Sequence, residues 1–293
     1  MRITVTGASG FCGAAVAQAA AATGAEVVCL GRRPGPVGEH RYWDATMARP
    51  DLSGVDAVIH LAAAVGDPTP RQEAWFRAVN VDGTRRLLAA AQGRPVVWVS
   101  SASVYDPRRD TDWVTEEHPI GGHHNPYGRT KAAGERLALA AGAVVLRPRA
   151  VYGPGDPHLL PRLAQLVRGG VAWLPGADVS LSLTHVDNLA DACVAALDWP
   201  PGAYNIADAT PYRRDAALQQ VFPITRVVHL PAAPVRMAAR LVEAAARPLP
   251  ITPRLTRYAV DQLTRPFVLD LSRAMAQGYR PERTLADFRA GGR

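Results

Sequence analysis

Lysine is almost missing from this chain: among 33 basic residues, Lys131 stands alone against thirty-two arginines. Cysteine is scarce too. Cys12, Cys29 and Cys193 lie in apolar surroundings, odd in number and without metal-ligand spacing, which excludes a disulfide scaffold or a cysteine metal site and suits a reducing cytoplasm. No long hydrophobic run occurs. The longest, Leu137 to Leu146, is far too short to span a bilayer. No secretory n-region and h-region open the chain, since Met1 to Thr6 already reads as a buried strand. The net charge of +7 is spread over scattered arginines whose densest clusters are pairs: Arg32-Arg33, Arg85-Arg86, Arg108-Arg109 and Arg213-Arg214. No aromatic stacking platform alternates with them, so a nucleic-acid partner is not expected. These absences leave a cytoplasmic protein acting on a small molecule, with no membrane and no metal.

What is present is a regular alternation. Apolar or β-branched runs at Ile3–Thr6, Glu26–Leu30, Ala57–Leu61, Val96–Val99 and Val144–Leu146 alternate with helical stretches at about Cys12–Ala22, Arg71–Ala91 and from Tyr127. This pitch means βαβ units and a parallel, doubly wound α/β sheet. Beyond Pro148 the pattern loosens. A helix is expected near Leu159–Arg168 and an amphipathic stretch near Val235–Arg247, while prolines at 231, 234, 248, 250 and 253 cut the rest into short pieces. Ser180–Leu197 again reads as strand and helix. The expected division is therefore discontinuous: residues 1–151 with about 177–199 form a dinucleotide-binding domain, and about 152–176 with 200–293 form a smaller substrate-binding lobe.

The first turn carries the ligand signal. Gly7, Gly10 and Gly13 stand between first strand and first helix, with Ser9, Phe11 and Cys12 among them. Such glycines permit a tight turn, close approach of backbone to a pyrophosphate and tight helix–strand packing, the Rossmann arrangement. Cys12 is expected as a small packing residue. The second strand ends Gly31-Arg32-Arg33 with no carboxylate to accept from ribose hydroxyls. Two guanidiniums there suit a 2′-phosphate, so NADP is expected, with NAD as the alternative. Asp44 is a candidate acceptor for the adenine amino group.

The lone lysine closes Tyr127-Gly128-Arg129-Thr130-Lys131. On a helix, residues four apart share a face, so the amine can stand near the phenol and lower its pKa. An ammonium is a compact point charge, and a guanidinium is a poor replacement for it beside a phenol and a ribose.

With these come Val58-Ile59-His60-Leu61-Ala62-Ala63, Asn80-Val81-Asp82-Gly83-Thr84, Ser100 to Tyr105, Leu146 to Gly155, Thr184-His185-Val186-Asp187-Asn188 and Tyr204-Asn205-Ile206. In order and spacing the set resembles the extended short-chain dehydrogenase/reductase family, also called the NAD-dependent epimerase/dehydratase family. The resemblance implies Tyr127 as general acid/base, Lys131 as its pKa-lowering partner and ribose holder, and Ser101 as the hydroxyl at the reacting oxygen, with Ser103 as stand-in. It implies Leu61, Ala62, Ala63, Asn80 and Pro148 along the cofactor path. A homodimer is a common arrangement in that family.

Members of the family divide between ketone/alcohol redox and nucleotide-sugar epimerisation or dehydration. Leu181 stands where nucleotide-sugar members usually carry a diphosphate-clamping arginine. Ala102-Ser103 follows Ser101 where dehydratases carry Asp-Glu. With Arg32-Arg33 these point to an NADPH-dependent oxidoreductase acting on a ketone or secondary alcohol; a redox-neutral nucleotide-sugar epimerase is the alternative. Trp173, Met237 and Leu241 are expected in an apolar pocket or lobe core, and His123-His124 as a solvated loop pair.

Overall fold

The computed structural model describes residues 1–66, 70–123, 125–246, 253 and 255–288. Six strands of the main sheet are β1 (Arg2–Thr6), β2 (Glu26–Gly31), β3 (Glu39–Tyr42), β4 (Ala57–His60), β5 (Val96–Val99) and β6 (Val144–Pro148). A seventh, Gly202–Ile206, lies beside β6. Their spatial order is Gly202–Ile206, β6, β5, β4, β1, β2, β3, all parallel. Chain order reverses between β1 and β4, and the crevice beyond that reversal is where doubly wound sheets bind ligands. All four residues of β4 and of β5 are buried, as expected of strands covered on both faces.

Two strands of this sheet lie outside the five apolar runs. β3 escapes a hydrophobicity scan because Glu-His-Arg-Tyr has no apolar pattern. It is an edge strand held by pairing with β2, Val28 opposite Glu39. Gly202–Ile206 also belongs to the main sheet, so the lobe cannot begin at 200. The chain returns to this core again: Leu269, Leu271, Ala274 and Tyr279 pack in one cluster with Tyr204 and Ile206.

The helical stretch expected from Arg71 is a composite. A 3₁₀ turn (Pro70–Gln72) leads into α2 (Glu73–Arg77), then a π-helical segment (Ala78–Gly83), then α3 (Thr84–Ala91). Such wide turns often mark functional positions, and this one carries Asn80. In the lobe, the helix Leu159–Ala164 ends early and Val167–Arg168 pairs antiparallel with Val171–Pro175. Gly169 and Gly170, at φ +56° and +76°, make that reversal. The amphipathic stretch forms the helix Ala232–Ala246; Arg247, Pro248 and Pro250 lie outside the described residues.

Below the site, α1 (Phe11–Ala22) rests against the helix Val186–Ala195, and α4 (Pro126–Ala140) is tied to the sheet by an internal ion pair. Arg147 of β6 meets Glu135 of α4 at 2.6 Å, both almost fully buried. The same guanidinium donates to the Tyr105 hydroxyl (2.8 Å) and the Glu116 carbonyl (2.9 Å). The Ser100 hydroxyl donates to Glu135, and that of Tyr105 to Asn205 in the seventh strand. A buried pair satisfied on every side holds its geometry, whereas removing one partner is costly.

Candidate active site

The dinucleotide turn has the expected construction. Gly7 adopts φ +72°, and a Cβ there would stand 2.9 Å from the Ala62 nitrogen. A Cβ at Gly13 would stand 2.2 Å from the Gly7 carbonyl oxygen. Gly10 caps α1 in an extended conformation with no side-chain cap, so the amides of its first turn remain for an anion. Ser9 is exposed and Phe11 half-buried beside them. These residues fit a pyrophosphate-bearing dinucleotide. Cys12 is half-buried, and burial pushes its thiol up to about 12, which makes it inert at neutral pH and suits packing.

The adjoining wall is fastened by Thr6, which the sequence reading overlooked. Its hydroxyl accepts from the amides of Leu61 (3.1 Å) and Ala62 (3.0 Å) and meets His60 Nδ1 at 2.7 Å. Burial takes His60 down to about 3, so its ring is neutral. Asn80 holds the next stretch, accepting from the Ala64 amide (2.8 Å) and donating to the Ala64 carbonyl and Thr130 hydroxyl, both 3.1 Å. Its side chain therefore shapes the segment Leu61-Ala62-Ala63 rather than reaching outward. A π segment inside the helix sets that side chain toward the loop.

Arg32 and Arg33 are exposed just past the end of β2. Asp44 lies nearby in an Asx turn, accepting from the Thr46 amide (2.8 Å) and hydroxyl (2.7 Å). Those bonds, and then the Arg32 charge, hold its carboxyl below the usual range. Pro148 closes β6, buried and paired in register with Ile206.

Asn125 caps α4 by accepting from the Gly128 amide at 3.1 Å, and Pro126 occupies its first turn. This sets Tyr127 at the helix mouth and Lys131 one turn inward. Ser101 caps the short 3₁₀ turn after β5. Its hydroxyl accepts from the Ser103 amide and lies 3.1 Å from the Ser103 hydroxyl. Burial pushes the Tyr127 phenol well above its ordinary value, while a hydrogen bond from Ser101 pulls it down. Ser101 and Tyr127 are thus brought together as expected.

Lys131 is buried but does not act on the phenol as expected. Its Nζ donates to the Val99 carbonyl at 2.7 Å and sits 3.9 Å over the Trp98 ring. Burial lowers it to about 7, with Glu135 opposing. The β5 carbonyl and the indole draw the ammonium inward, so no lowering of Tyr127 by Lys131 is in place.

A cavity opens beside this pair, lined among others by Ser103, His123, Arg149, Tyr258 and Phe267. His123 is not a solvated loop residue: its Nε2 lies 2.9 Å from the Val104 carbonyl, and burial lowers its pKa. His124 lies outside the described residues. Trp173, Met237 and Leu241 are exposed, at 46%, 54% and 66%, and form neither pocket nor core. Trp173 points outward on a strand whose inward positions are Ala172 and Leu174. Tyr258 and Arg149 were missed. A second arginine, two positions after the Arg147 that ends the apolar run Val144 to Leu146, was the available signal for Arg149. Nothing local marks Tyr258, whose hydroxyl lies 3.3 Å from that of Ser103 across 155 positions.

A family model described as "NAD dependent epimerase/dehydratase family" matches residues 3–207. The chain belongs to that family. It is 30% identical to the 2-alkyl-3-oxoalkanoate reductase of Stenotrophomonas maltophilia, over 96% of this chain and 95% of that one. It is also 30% identical to the 4-hydroxy-2-methyl-3-oxo-4-farnesyl-3,4-dihydroquinoline-1-oxide ketoreductase of Stigmatella aurantiaca, over 95% and 92%. Among solved structures, MoeE5 in complex with UDP-glucose and NAD superposes with a TM-score of 0.72 at 26% identity, over 98% and 95% of the two chains. The protein is a Rossmann-type NAD(P)-dependent oxidoreductase of the extended short-chain dehydrogenase type, using a nicotinamide dinucleotide on a small molecule. Among the described residues, no helix is long and apolar enough to cross a membrane.

Proposed function

We propose that this protein reduces the ketone of a small molecule with NADPH, and that Tyr127 is its proton donor. The observation that carries the reading is the phenol's setting. Half-buried at the mouth of α4 and hydrogen-bonded by Ser101, Tyr127 keeps its proton at neutral pH, the state a ketone reductase needs at the moment the carbonyl oxygen gains charge. The dinucleotide, when bound, supplies the hydride. Tyr127 delivers the proton to the carbonyl oxygen. The Ser101 hydroxyl donates a hydrogen bond to that oxygen and polarises it. With the nucleotide bound, Lys131 would hold its ribose, and the ammonium would ease the phenol toward proton release. Gly7, Gly10 and Gly13 admit the pyrophosphate to α1, and Ala62 and Ala63 flank its path.

Arg32 and Arg33 support NADPH over NADH, since no carboxylate ends β2 and two exposed guanidiniums follow it. The reductase names of both relatives support the redox direction. Leu181 pairs with Tyr212 and bridges Phe267, an apolar position where a diphosphate clamp would be polar. The test is titration of nucleotide-free protein with NADPH and NADH. NADPH should bind at least about tenfold tighter, and Arg32→Ala with Arg33→Ala should abolish the difference. Tightly held NAD that does not exchange would instead identify a redox-neutral epimerase.

A further inference from the structure

Arg149 stands just beyond β6, only 6% exposed. Its Nε has no hydrogen-bond partner among the described residues. Its guanidinium lies 3.9 Å over the Phe267 ring, and burial holds its pKa down to about 10. A buried guanidinium with a donor left unanswered is expensive, and folded chains rarely keep one unless something answers it. The other charged residues of the cavity do not. Asp261 is engaged by Arg236 at 2.6 Å, and Arg265 donates to the Pro107 carbonyl at 2.6 Å.

The position of this guanidinium matters as much as its lack of a partner. Arg149 lines the same cavity as Ser103 and Tyr258. Tyr258 lies within electrostatic reach of both the Tyr127 phenol and the Arg149 guanidinium. A molecule with its carbonyl at Ser101 and Tyr127 would thus carry its neighbouring atoms past one phenol to Arg149. Ala102, Pro107 and Phe267 make the remaining wall apolar.

We propose that Arg149 reads a carboxylate on the substrate, so that the site takes oxo acids whose ketone and carboxylate lie a few carbons apart. This rests on the ketone-reductase reading above and adds the substrate class to it. A guanidinium matches a carboxylate with two parallel N–H donors, and Phe267 beneath fixes the plane in which they point. The neutral ester of the same acid would leave the cation buried and unanswered.

The decisive measurement is calorimetric binding of 3-hydroxyoctanoate and of its methyl ester to protein saturated with NADP⁺. The acid should bind about 30-fold tighter than the ester, and Arg149→Gln should erase that advantage while leaving NADP⁺ affinity unchanged. Equal binding of acid and ester by the unaltered protein, binding of neither, or an acid preference that survives in Arg149→Gln would each overturn the proposal. The acid–ester comparison needs no variant, so it decides even if Arg149→Gln does not fold. NADPH oxidation with 3-oxooctanoate and its methyl ester tests the underlying reading separately. Acid-selective binding without turnover would remove the reductase and keep the carboxylate site, whereas equal turnover of acid and ester would do the reverse.

Discussion

On the sheet side of the cleft, Arg147 meets Glu135, Tyr105 and a backbone carbonyl, and Lys131 meets Val99 and the face of Trp98. Two residues beyond Arg147, just past the end of β6, Arg149 has Phe267 beneath it and no acceptor at Nε. Both arginines are buried to nearly the same degree, at 2% and 6% exposure. The difference is in who supplies the partner. The sheet answers its own charges and is rigid before anything binds, while the residue just past its edge leaves hydrogen-bonding capacity for the molecule that enters.

Substitution can break this contrast at three strengths. The largest effect belongs to the pair that both walls serve. Tyr127→Phe should lower kcat for ketone reduction by about 10²- to 10⁴-fold with NADPH affinity nearly unchanged, and turnover at the unaltered rate would remove Tyr127 from the mechanism. Next comes the sheet-side ion pair. Glu135→Leu strands Arg147 and should cost about 3–5 kcal/mol in urea unfolding. Arg149→Met removes a cation whose Nε has no acceptor and should cost far less than Glu135→Leu; equal losses from the two changes would erase the distinction drawn here.

The smallest effect is a pH dependence. Lys131 falls from 10.5 to about 7 on folding, because burial opposes its charge. Between those values the unfolded chain binds more protons than the folded one, so stability should rise as pH climbs above about 7. The slope is at most about 1.4 kcal/mol per pH unit. Lys131→Met should flatten it, and an unchanged slope in denaturant midpoints between pH 7 and 9 would show that the amine is not perturbed.

What the sequence disclosed is what short-range geometry decides. Gly7, Gly10 and Gly13 fall within one loop and helix start, so their relation follows from backbone rules alone; Tyr127 and Lys131 share one turn of helix, but where the amine points does not follow from that spacing. The bounds of β3 carry no apolar mark, because an edge strand needs none. Gly202–Ile206 falls past the expected boundary at 199, because its sheet partner β6 lies far back in the chain. The direction of Lys131 depends on the β5 carbonyl and the Trp98 ring, and Tyr258 reaches Ser103 only through tertiary folding. Amphipathic spacing suggested a pocket or core role for Met237 and Leu241, but both face outward. Distance along the chain, not the subtlety of the motif, separated the legible from the hidden.

The solitary lysine has a practical consequence. A protease that cuts only after lysine finds one bond in all 293 residues, Lys131–Ala132, and both flanking residues are buried within α4 at 4% and 3% exposure. The folded chain should resist it until α4 opens. The rate at which two fragments replace one band is then a clock for that opening, and a slower clock after adding nucleotide would report occupancy without any assay of turnover.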